Sequence, residues 1–112
     1  MPKLNFQSSE SEKIRQTQKW LDDVFQRQYR RSKSMHDYES GQIVENVFNI
    51  IAVMTEKNKE IFEFRFVKGF KNTQVITLLD YPESTYYRRK RLAIKEFIDL
   101  GGELEFLNKK RH

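Results

Sequence analysis

Apolar residues recur along this chain at helical spacing, with almost no strand-like alternation. Ile14, Trp20, Leu21, Val24, Phe25 and Tyr29 fall at three-, four- and seven-residue offsets between Lys, Arg, Gln and Asp. That stripe predicts an amphipathic helix from about Glu10 to Arg31, with Trp20 as a core anchor. Ser9-Glu10-Ser11-Glu12 fits a capping box and marks its expected start. Ile43, Val44, Val47, Phe48, Ile50, Ile51 and Met54 crowd one broad face of a second helix, about Asp37 to Met54. A third reads from Lys59 to Lys68, with Ile61, Phe62, Phe66 and Val67 inward and Gly69 as its stop.

Closer punctuation follows. Asn72 is placed as the N-cap of a short helix, Thr73 to Leu79, with Val75, Ile76, Leu78 and Leu79 as its apolar contacts. Asp80-Tyr81-Pro82 breaks it, because the residue before proline avoids the α region while Pro82 suits the first position of a new helix. A fifth helix runs from Pro82 to Leu100, and Gly101-Gly102 ends it. The tail beyond, with Leu104, Phe106 and Leu107, fits either a helical turn or a strand. The expected class is all-α, four to five helices with a C-terminal helix-turn-helix. The expected organisation is one compact domain, with residues 1–56 forming the core or a self-association surface and residues 57–112 the helix-turn-helix part.

Charge sharpens this picture. The net charge is +5, yet residues 1–56 carry eight basic and eight acidic side chains, so the whole excess lies in residues 57–112, with thirteen against eight. A localised positive field favours a polyanionic partner. Arg27, Arg30, Arg31 and Lys33 read instead as a solvated helix end that suits the helix dipole.

Composition mainly excludes. The absence of cysteine rules out disulfides, thiolate metal sites and cysteine nucleophiles, and His36 and His112 have no metal-ligand spacing. No Gly-rich phosphate loop or nucleophile–base pattern appears, and Asp22 with Asp23 reads as a solvated face, so neither an enzyme nor a cofactor is expected. Without an apolar run of ~18 residues or a secretory leader, no membrane association and a cytoplasmic location are expected.

A short helix, a three-residue break and a longer helix make the outline of a DNA-binding helix-turn-helix. With Tyr86, the stem of Arg89, Ala93 and Phe97 inward, the outward face of the second helix becomes Glu83, Ser84, Tyr87, Arg88 and Arg91. Arg can bond guanine bidentately, Glu can accept from cytosine, and Ser or Tyr can reach bases or phosphates. Arg88-Arg89-Lys90-Arg91 sets four cations within about one turn, some of them beside the groove. The expected DNA-binding set is Lys71, Thr73, Glu83, Ser84, Thr85, Tyr87, Arg88, Lys90 and Arg91.

The segment Leu79 to Phe97 resembles the signature of the ArpU family of phage-type transcriptional regulators. Ser84, Thr85, Tyr86, Tyr87, Arg88, Ala93 and Phe97 match it, and Phe62, Arg65, Phe66 and Gly69 resemble the family's approach to the motif. Asp80 stands where Gly is usual, Pro82 where a capping Ser is usual, and Arg89 where an apolar residue is common. The likeness covers Ile61 to Phe97, about a third of the chain. It implies a phage or prophage regulator of late or lytic genes in a Gram-positive host, with a motif akin to the DNA-binding region of sigma factors. Duplex DNA is the expected partner, with host RNA polymerase and a second copy of the chain left open. A terminase small subunit-like packaging protein and a purely protein-binding helical module remain the alternatives.

Overall fold

Most of the side chains that the periodicity placed inward, joined by Ile94 and Ile98, form one main cluster. Ile14, Trp20, Leu21 and Phe25 meet Val44, Val47, Ile50, Ile51 and Met54, and both groups meet Phe62, Phe66, Ala93, Ile94, Phe97 and Ile98. A computed structural model describes residues 5–35 and 38–103, and among these every regular element is helical. The first rod is α1 (Asn5–Trp20), a π-helical segment (Leu21–Phe25) and α2 (Gln26–Met35) in unbroken succession. Then come α3 (Tyr38–Ala52), α4 (Glu56–Phe62) running into a second π segment (Glu63–Val67), α5 (Asn72–Leu79) and α6 (Glu83–Asp99). The fold class is therefore all-α, with five helical rods among the described residues. His36, His112 and the tail from Leu104 lie outside them.

Several boundaries differ from expectation. The first rod begins at Asn5, so Ser9 does not cap it, and the Glu12 carboxylate takes Arg15 and the Gln16 amide (3.1 Å) instead. The α4 rod begins at Glu56, three residues before the predicted Lys59. The stripe on the first rod, for which core packing and self-association were both expected possibilities, packs into the main core with α3, α4 and α6 of the same chain.

Aromatic rings carry much of this core. Phe62 stacks on Phe97 at 4.7 Å and tilts against Phe66 at 5.0 Å, while Phe25 lies between Tyr29 (5.8 Å) and Phe48 (6.2 Å). Truncating a fully buried ring of this kind costs ~3–5 kcal/mol.

The two π segments cross each other. Asp22 in the first pairs with Arg65 in the second through two oxygens, at 2.8 and 3.2 Å, and the Gln26 amide donates to the Phe66 carbonyl. Asp22 is thus part of a structural ion pair, contrary to its reading as a solvated carboxylate. Gly69 then ends the rod at φ 78°, with Lys68 N–H bonding Glu63 (2.8 Å) and Phe70 N–H bonding Phe64 (3.0 Å). Only glycine adopts that backbone without strain.

The N-terminus of α4 is capped from a distance. Thr55 precedes the helix, and its N–H and hydroxyl donate to the Glu96 carboxylate of α6 at 3.1 and 2.7 Å, joined by the Asn58 amide at 2.8 Å. Burial acts to raise the Glu96 pKa, but the bonds from Asn58 and Thr55 outweigh it and hold the group below its usual range. A carboxylate depressed in the folded state contributes stability above its unfolded pKa of ~4.3 and loses it as pH falls through the lower folded value. Glu96→Gln should therefore cost about 1–2 kcal/mol at neutral pH and flatten the acid limb of stability below about pH 4. Urea midpoints between pH 3 and 7 check this, and an unchanged acid limb would remove Glu96 from the account.

Candidate nucleic-acid interface

The α5–α6 unit is held by a second, smaller cluster. Ile61, Val75 and Tyr86 are fully buried there, with Phe64, Phe70, Ile76, Leu79 and Tyr81 packed around them. Leu78, expected among these contacts, faces out at 56% exposure. Only Asp80, Tyr81 and Pro82 separate the two helices, and Tyr81 N–H reaches back to the Ile76 carbonyl at 3.3 Å. Asp80 takes the left-handed conformation, φ 57° and ψ 46°, as the C-cap of α5. Pro82, expected as the first helical residue, is instead the N-cap of α6 in extended backbone, and the helix begins at Glu83.

Asn72 does not cap α5. Lys71 occupies that position, and its N–H is satisfied by the Gln74 side chain at 2.8 Å. The Asn72 side-chain Oδ1 turns inward and accepts from Tyr86 OH (2.7 Å), Arg65 Nε (3.0 Å) and Lys90 Nζ (3.3 Å). Three elements thereby meet on one atom: the second π segment, α5 and α6. Burial, partly countered by the Arg65 charge, pushes the Tyr86 hydroxyl up to about 12, so it acts as a donor at any physiological pH.

Lys90 is the clear departure from the predicted interface. It is only 7% exposed, on the inward side of α6, with its ammonium 5.4 Å from the Tyr87 ring centroid. Burial pushes its pKa down, the nearby Arg65 charge adds to this, and Asp22 opposes it. The register could have revealed it, since position 90 lies four after Tyr86 and three before Ala93, on one helical stripe.

The remaining candidates divide by position. Glu83, Ser84, Tyr87, Arg88 and Arg91 are all exposed on α6, while Thr85 is half-buried beside them. The opposite side holds Tyr86, Ala93 and Phe97, each 0% exposed, as expected, but Lys90 is buried with them while Arg89, whose stem was expected there, is half-buried. Arg88 makes no ion pair or hydrogen bond with another described residue. Arg91 donates to the Ser11 hydroxyl at 3.0 Å, and one turn on, Lys95 pairs with Glu10 at 2.8 Å. The early turns of α1 therefore flank α6 at Arg91 and Lys95, whereas Glu83, Ser84, Tyr87 and Arg88 on its first two turns are exposed. Lys71 and Thr73 are exposed at the start of α5.

Sequence reasoning missed Arg65, Asp22 and the acceptor role of Asn72. The partners of Asn72 lie 7, 14 and 18 residues away, a spacing with no local signature. No protein-family model, characterised protein or solved structure matches this chain.

The geometry sets the expected stability of three substitutions. A left-handed residue costs an L side chain ~1–2 kcal/mol, less for Asp, and a carboxylate at a helix C-terminus opposes the dipole. Asp80→Gly should therefore raise stability by about 0.5–1 kcal/mol, read as a higher melting temperature; a lower one would contradict the assigned turn. Lys90→Met should be within about 1 kcal/mol of wild type at neutral pH, because it removes a buried charge while keeping the stem's volume. Asn72→Ala, which strips the acceptor from Tyr86 and Arg65, should cost about 2–3 kcal/mol. Chemical denaturation ranks the two, and the reverse order would refute the arrangement.

Proposed function

We propose that this chain binds duplex DNA, with α5, the Asp80–Pro82 turn and α6 acting as a helix-turn-helix and α6 entering the major groove. The observation that carries this reading is the first two turns of α6. Glu83, Ser84, Tyr87 and Arg88 are exposed together there, backed by the buried Tyr86. Arg88 is suited to bidentate contact with guanine and Glu83 to accepting from cytosine, while Lys71 and Thr73 would meet phosphates from the start of α5.

On the strength of the resemblance to ArpU regulators, we take the DNA-binding activity to be sequence-specific control of phage or prophage late genes, in the cytoplasm of a bacterial host. Host RNA polymerase would then be a natural further partner. Asp80, which stands where the family usually has Gly, takes the left-handed conformation that glycine adopts without strain.

Sites selected from a random duplex pool should share a sequence, and binding to them should weaken steeply with salt. Arg88→Ala should lower affinity for the selected site by about 10- to 100-fold, in line with ~1–3 kcal/mol for a bidentate base contact, and relax preference at one position. Equal affinity of Arg88→Ala and wild type for every duplex would defeat the proposal.

A further inference from the structure

Two open grooves on this molecule share one wall. The first, about 500 Å3, is lined by Phe70, Thr73, Gln74, Thr77 and Leu78 along the exposed side of α5. The second, about 540 Å3, is lined by Tyr29, Lys33, Glu63, Val67, Lys68 and Phe70, between α2 and the second π segment. Phe70 contributes to both, so one surface continues from the first turn of α5 across its ring to Lys33.

The chemistry of the second groove differs from that of the first. Lys33 and Lys68 bring two ammonium groups from different elements against a single carboxylate, Glu63. Both lysines are exposed, and neither forms an ion pair with another described residue. Each lies over an aromatic ring, Lys33 at 5.0 Å from the Tyr29 centroid and Lys68 at 6.0 Å from that of Phe64. Such rings hold a lysine in place and leave its charge intact. Lys68 also stands three residues before Lys71, on the segment leading into α5.

We infer that this groove is a second DNA contact, in which Lys33 and Lys68 bind phosphates of the duplex flanking the segment read by α6. The inference rests on the DNA-binding reading above. A phosphodiester strand is favoured as occupant because the two lysines complement its charge and because the groove joins, through Phe70, one lined by Thr73, an expected phosphate contact of α5. A lysine pair carries no base preference, so its contribution is affinity and register on the duplex.

The test uses the full chain and two duplexes carrying the selected site, one trimmed to it and one extended by about ten base pairs, roughly one helical turn, on each side. With two additional phosphates engaged, wild type should show a salt dependence on the extended duplex steeper by about 1.8 in log–log slope. K33Q/K68Q should lose that increment and about tenfold or more of affinity at low salt, yet bind the trimmed duplex as wild type does. Charge reversal, K33E/K68E, should deepen the loss on the extended duplex alone.

If K33Q/K68Q matches wild type on both duplexes while Arg88→Ala remains impaired, the groove inference falls and the DNA reading stands. An equal loss on both duplexes overturns it too, as does displacement of wild type from the extended duplex by polyglutamate but not by inorganic polyphosphate, which would assign the groove to an acidic protein segment. If wild type binds neither duplex, the DNA reading itself fails.

Discussion

The side-chain oxygen of Asn72 is the point on which the geometry of the α5–α6 unit depends. A carbonyl oxygen offers two lone pairs, and here three donors converge on it, from Tyr86, Arg65 and Lys90. The shorter bonds, from Tyr86 and Arg65, hold α6 and the second π segment against the first residue of α5. Behind Arg65 stands Asp22, so the same chain of bonds runs on to the first rod. In a region with little water, each donor left without an acceptor would cost its full desolvation penalty, which is why the arrangement is cooperative. Rotation of α6 about its axis would break the Tyr86 bond before it exposed a different face.

That constraint divides α6 into two mechanical regions. Its later turns belong to the main cluster through Ala93, Ile94, Phe97 and Ile98, and Glu96 reaches across to cap α4. Its first two turns touch the small cluster through Tyr86, and their other side is left to solvent. A helix anchored at one end in a large core and indexed at the other by one hydrogen-bonded tyrosine presents a fixed set of side chains. Such fixing would matter for the proposed reading of bases, because a misplacement of about an ångström is enough to lose a bidentate contact.

Much of this was legible in the sequence because core burial and helical period are local signals. The stripe from Ile14 to Phe25, the apolar run of α3 and the inward set Tyr86, Ala93 and Phe97 all follow from spacing. The failures have different causes. Ser9 resembled a cap because a Ser-x-x-Glu pattern is equally compatible with a helix interior, and the helix begins earlier. Asn72 resembled a cap for the same kind of reason, while its real partners are brought by the tertiary fold. Lys90 was read from its charge when its register already placed it on the buried stripe. The π segments, which let Asp22 and Arg65 meet, change the residue count per turn and leave no compositional mark.

Charge, the first hint of a polyanionic partner, turns out to be a poor guide to where that partner would sit. Among the cations of residues 57–103, Arg65 is spent on Asp22, Lys95 on Glu10 and Asp99, and Lys90 is withdrawn from solvent. Arg91 remains exposed and is tethered to a neutral hydroxyl, with the Glu10 carboxylate near enough to feel its charge. The positive surface near α5 and α6 therefore reduces to a few side chains, chiefly Lys68, Lys71, Arg88, the half-buried Arg89 and Arg91, drawn from three segments that the Asn72 junction holds in register. A four-cation run contributes to recognition only through the members that the helix rotation leaves outside. It is the buried acceptor, with no charge of its own, that decides which members those are.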